Sequence, residues 1–112
     1  MPDIRIQTNQ KAGDAAALLK RLSAAGAAAI GKPESYVQTA LEDGRIMTFG
    51  GSDAPTAFIE CKSIGLTESQ TAGISAALCA FCGDELGISE DRVYIEFAGA
   101  VGKMWGWRGG TF

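Results

Sequence analysis

A short signature occurs twice along this chain. Gly31-Lys32-Pro33-Glu34-Ser35-Tyr36-Val37 is answered 56 residues later by Gly87-Ile88-Ser89-Glu90-Asp91-Arg92-Val93, with Gly, Glu and Val in common. Three identities carry little alone. They gain force because each copy follows a helical stretch and precedes an apolar run with strand character. Each half also carries an alternating strand pattern, Ile4-Arg5-Ile6-Gln7 in the first and Ile59-Glu60-Cys61-Lys62 in the second. Such a chain is constrained to fold as two strand–helix–strand units.

The helical stretches have readable ends. The first runs from about Asp14 to Ile30, with Leu18, Leu22, Ala25 and Ala29 on one face and Lys20 and Arg21 turned away. Gly31 ends it and Pro33 prevents it resuming. The second opens on Thr67-Glu68-Ser69-Gln70, the T-x-x-Q form of a capping box, and closes at Gly87. Its stripe is Ile74, Leu78, Phe81 and Cys82. Tyr36–Leu41 and Arg92–Phe97 then read as the returning strands.

A helical crossover within one sheet implies parallel strands in each half. The expected fold is therefore α/β, two βαβ repeats in a four-stranded mixed sheet with both helices on one face. The 112 residues suit a single domain, with halves at about 1–56 and 57–112. The opposite face of the sheet is expected to carry Ile, Val, Phe and Tyr side chains, and such a face needs an oligomeric partner to cover it.

Composition narrows the chemistry. The chain has no histidine, which removes histidine general bases, Ser-His-Asp triads and most catalytic zinc patterns. Ten Lys/Arg against thirteen Asp/Glu give a net charge of −3, so no nucleic acid partner is expected. Three cysteines, an odd number, suit a reducing compartment. No apolar run reaches membrane-spanning length, and Met1-Pro2-Asp3-Ile4-Arg5 lacks the form of a signal peptide, so a cytoplasmic location is expected.

Five short motifs then stand in order: Pro2 before a strand, Gly31-Lys32-Pro33, Phe49-Gly50-Gly51-Ser52, Ser63-Ile64-Gly65 and Asp91-Arg92-Val93-Tyr94-Ile95. The tail Gly106-Trp107-Arg108-Gly109-Gly110-Thr111-Phe112 follows. Together they resemble the macrophage migration inhibitory factor family of the tautomerase superfamily, over essentially the whole chain. The resemblance implies a homotrimer and a cofactor-free, metal-free keto-enol tautomerase acting on phenylpyruvate-like α-keto acids. It equally admits a cytokine-like or moonlighting protein-binding factor with a vestigial pocket, a receptor as partner, and export without a leader.

The resemblance also implies roles for residues. Pro2, once Met1 is removed, would expose a secondary amine as the general base. A model terminal amine sits at about 7.7–8.0, so a modest downward shift suits it to work near neutrality. Lys32 would hold the substrate carboxylate and depress that amine; taken alone, it is a cation favoured at a helix end. Tyr94 would come from a neighbouring subunit. Ser63 and Ile64 belong to a motif whose backbone contacts substrate. Tyr36, Trp105, Trp107 and Phe112 would form an aromatic mouth.

Glu96 departs from the asparagine that the vertebrate cytokine members carry. A carboxylate only accepts hydrogen bonds and repels an anionic substrate, so it is expected either to pair with Lys32 or Arg108 or to alter substrate choice.

Two further motifs read as structural. Cys79-Ala80-Phe81-Cys82 has C-x-x-C spacing but lies within a helix, where cysteine packs as a small hydrophobe. Thr56-Ala57-Phe58-Ile59 stands where the cytokine members have a C-x-x-C, so their thiol chemistry is not expected here. Phe49-Gly50-Gly51-Ser52 lacks the rest of a phosphate loop and reads as a turn.

Overall fold

The computed structural model describes residues 1–112. The chain forms strand β1 (Asp3–Thr8), helix α1 (Ala15–Ile30), β2 (Gln38–Glu42), β3 (Ala57–Ile64), helix α2 (Glu68–Leu86) and β4 (Val93–Ala100). A small hairpin of β5 (Gly106–Trp107) and β6 (Gly110–Thr111) follows. The main sheet has the order β2-β1-β3-β4. β1 pairs in parallel with β2, and β3 with β4, while β1 and β3 meet antiparallel at the centre. This is the expected pair of βαβ units, joined back to back.

The repeat extends below the level of strands and helices. Both helices end on a left-handed glycine, Gly31 at φ 77° and Gly87 at φ 66°. Each is followed by a single 3-10 turn, Glu34–Tyr36 and Glu90–Arg92. Those turns delay the strands expected at 36–41 and 92–97: β2 starts at Gln38 and ends at Glu42, while β4 starts at Val93 and runs on to Ala100. Pro33 starts the first turn because its ring already fixes a compatible φ of −60°.

Helix α1 is capped by Asp14, whose carboxylate accepts from Ala17 N–H at 3.1 Å. At α2 the Gln70 side chain accepts from Thr67 N–H at 3.0 Å, the reciprocal half of the capping box. Ile4, Ile6, Ile59 and Cys61 point from the sheet into a core completed by Leu18, Leu22, Ile30, Ile74, Leu78, Phe81 and Cys82. The buried seam of α1 is Leu18, Leu22, Gly26, Ala27 and Ile30, rotated slightly from the expected Ala25–Ala29 line. Gly26 lies in it because a methyl there would collide with Ile4 Cδ1.

The other face of the sheet corrects the sequence expectation. Strand alternation sends Ile4, Ile6 and Ile59 inward, leaving Arg5, Gln7, Glu42, Phe58, Glu60, Lys62, Ile64, Tyr94 and Glu96 outside. The face is mixed, with charged and polar side chains and alanines set among Phe58, Ile64 and Tyr94, its large apolar side chains. An apolar face in need of cover is therefore no argument for an oligomer.

Candidate active site

The cleft at the amino-terminal end of β1 has a volume of about 420 Å³. Met1 and Pro2 lie on one side, Ser35–Gln38 along another, and Trp105, Trp107 and Phe112 opposite. Local structure explains the gathering. The 3-10 turn after α1 presents Tyr36 beside the start of β1, and Gln38 N–H donates to Pro2 C=O at 3.0 Å. The carboxy-terminal segment folds back because Phe112 N–H donates to Trp105 C=O at 3.2 Å. Gly102 permits this return: a β-carbon there would lie 2.9 Å from the Phe112 carbonyl oxygen.

The aromatic residues form one packed wall. Trp107 and Phe112 stack with ring centres 5.0 Å apart, and Tyr36 meets them edge-on at 5.7 Å and 6.0 Å. Pro2 is buried beneath them. The terminal amine, here on Met1, is held below its ordinary value of 8.0, first by burial and then by the charge of Lys32. Lys32 is half-buried just past Gly31 and has no carboxylate within ion-pair distance.

The structure thus brings together Pro2, Tyr36, Trp105, Trp107 and Phe112, with Lys32 acting on the amine. It places Tyr94 and Glu96 elsewhere. In register, Tyr94 stands beside Phe58, and Phe58 opposite Gln7, at the far end of β1 from Pro2. Five residues of extended strand span about 17 Å, so Tyr94 cannot reach its own chain's cleft. Glu96 lies on the open face beside Glu60 and pairs with neither Lys32 nor Arg108. Ser63 faces the helices, fully buried, and its hydroxyl has no hydrogen-bond partner. Ile64 ends β3 beside Ala100, at the Pro2 end of the sheet, but does not line the cleft.

Sequence reasoning missed Arg92 as an organiser. Its guanidinium donates to the carbonyls of Phe49, Ser52, Ala54 and Pro55 at 2.9–3.1 Å. It also lies over the Phe49 ring, which packs on Tyr94 with centres 4.7 Å apart. Arg92 therefore fixes the loop that braces Tyr94. Phe49-Gly50-Gly51-Ser52 is a tight turn with both glycines at positive φ, as expected. Cys82 is buried in α2, and burial pushes its thiol up to about 12, which leaves little thiolate for redox exchange. No group of His, Cys, Asp and Glu is clustered closely enough to hold a metal ion, and no helix is long and apolar enough to cross a membrane.

A doubled βαβ layer with the strand order β2-β1-β3-β4 defines a tautomerase-type fold, with this cleft at the start of β1. Residues 1–112 match the family model described as macrophage migration inhibitory factor (MIF), and the chain belongs to that family. The Brugia malayi macrophage migration inhibitory factor homolog is 39% identical over 114 residues, covering 100% of this chain and 99% of its own. A Bos taurus protein named D-dopachrome decarboxylase is 39% identical over 100 residues, covering 87% and 85%. The crystal structure of the homologue from Prochlorococcus marinus superposes with a TM-score of 0.92 at 45% identity, covering 98% of each chain.

Proposed function

We propose that this protein is a cofactor-free keto-enol tautomerase of phenylpyruvate-like α-keto acids. The carrying observation is the terminal amine itself: it lies against an apolar, aromatic cleft, and burial and Lys32 together lower its proton affinity. With Met1 removed, the amine becomes that of Pro2, a secondary amine held rigidly by its ring. While Met1 remains, the Pro2 nitrogen is a tertiary amide with no basic lone pair.

The step balances without a cofactor. The Pro2 nitrogen takes a proton from the carbon beside the ketone, a C=C bond forms, and the carbonyl electrons move to oxygen. The resulting prolinium returns the proton to that oxygen, giving the enol and restoring the amine. Lys32 holds the carboxylate and favours the neutral amine. The aromatic wall of Tyr36, Trp105, Trp107 and Phe112 takes the phenyl ring.

A homotrimer completes this reading. Tyr94 stands too far along the sheet to serve its own chain, so a neighbouring copy supplies it, while Ser63 and Ile64 lie at the Pro2 end of the same chain's sheet. The test combines intact mass, light scattering and turnover of phenylpyruvate. Activity is expected to track the Met1-free fraction, to vanish in Pro2→Gly, and to accompany a mass of three chains. Full activity in wholly Met1-retaining protein overturns the proline base. A single-chain mass overturns the shared site. No turnover by Met1-free protein, with tight binding to a protein receptor, favours the recognition reading instead.

A further inference from the structure

Arg108 is the one residue other than glycine with a positive φ, at 53°. With Gly109 at φ 76° it makes the two-residue turn between β5 and β6, a geometry for which asparagine or glycine is the ordinary choice. An arginine is thus held where its backbone is disfavoured. Its guanidinium lies 5.2 Å from the centre of the Trp107 ring, and Trp107 stacks in turn on Phe112 in the cleft wall.

Stacking occupies the flat face of a guanidinium and leaves its N–H edge free. Here that edge is unused. Arg108 has no carboxylate within ion-pair distance, and its side chain donates no hydrogen bond within the chain. The cleft lining itself carries no charged side chain. Two unpaired cations therefore flank it. Lys32 acts on the amine, and Arg108, outside the lining itself, lies against the Trp107 ring of the aromatic wall.

We infer that Arg108 determines specificity by receiving a second anionic group at the ring end of the substrate. The preferred substrate class is then an aryl α-keto acid with a distal carboxylate, a dianion spanning Lys32 and Arg108. This rests on the tautomerase reading and deepens it. An exposed pair of this kind is worth a several-fold effect rather than orders of magnitude.

The experiment measures kcat/KM for 4-carboxyphenylpyruvate and phenylpyruvate with Met1-free protein, as wild type, Arg108→Gly and Arg108→Lys. Glycine suits the turn, so this variant keeps the hairpin. The dianion-to-monoanion ratio is expected to fall about fivefold in Arg108→Gly, to recover partly in Arg108→Lys, and to shrink in wild type as salt is raised. An unchanged ratio in Arg108→Gly overturns the inference, whether or not both activities fall together. If neither acid is turned over, the tautomerase reading fails, and binding decides the Arg108 inference alone. Tryptophan fluorescence then compares 4-carboxycinnamate with cinnamate. Tighter binding of the dianion that is lost in Arg108→Gly supports the second anion site, and equal binding overturns it.

Discussion

Glu60 and Glu96 stand side by side in the register of the parallel strands β3 and β4, on the face that the helices leave open. Arg5 is opposite Glu60 on the other side but is engaged by Asp3 at 3.0 Å. Like charges at neighbouring positions on one sheet face destabilise by about 0.2–1 kcal/mol. Glu96→Gln is therefore expected to raise stability within that range, read as a higher urea midpoint at neutral pH with an unchanged m-value. Glu60→Gln should give a similar gain, and the double variant less than the sum, since either change alone removes the repulsion.

The terminal amine supplies a pH prediction. In the Met1-retaining chain its folded value is below 8.0, with burial the larger cause and Lys32 the smaller. An unfolded chain keeps that proton up to the ordinary value, so between the two values the unfolded state binds more protons. Stability should then rise with pH across this window and level off near 8.0. Lys32→Met is expected to move the folded value part of the way back up. The pH dependence of amine acylation, followed by intact mass, reads the shift directly; no shift would remove Lys32 from the amine's surroundings.

Arg92→Ala should cost on the order of 3 kcal/mol, because four carbonyls lose a charged donor at once. The loop from Phe49 to Pro55 should become susceptible to proteolysis well below the melting temperature. Arg92→Lys restores charge but not the fork, and should rescue less than half of the loss. Thermal melts and timed digestion check both.

Gly102→Ala should displace the carboxy terminus, since the added carbon meets the Phe112 backbone rather than a movable side chain. Overpacking of this kind costs about 1–3 kcal/mol. Turnover of aryl keto acids should fall mainly through KM, because the aromatic wall loses Phe112, while small aliphatic keto acids are less affected. Equal losses for both classes would place the damage elsewhere.

Local punctuation made much of this fold readable in advance. Gly31, Pro33, Gly87 and Thr67-x-x-Gln70 act through their own backbone, so their meaning does not depend on distant residues. The misreading of the open face came from parity: Ile4, Ile6 and Ile59 fall on the inward half of the alternation, and only the pairing register shows which half that is. Gly26 was invisible in the helix stripe because its contribution is the absence of a side chain beside Ile4. Arg92 escaped notice because all four of its hydrogen-bond partners are main-chain oxygens, which no side-chain pattern announces. The cleft residues Tyr36, Trp107 and Phe112 were grouped by family likeness; nothing in their spacing alone brings position 36 to position 112.

Tyr36 and Arg92 close the same 3-10 turn in the two halves of the repeat, yet one faces the cleft and the other ties down a loop. At the start of β3 the chain arrives through Thr56, whose N–H is already given to Asn9 Oδ1 at 3.0 Å. The second half therefore has the geometry of the first without a titratable nitrogen. On the proposed mechanism the stoichiometry is fixed by topology at one base per polypeptide, however symmetric the scaffold. An assembly of several copies then counts its working sites by how many of its chains have lost Met1, so partial processing yields a graded population of particles rather than two discrete species.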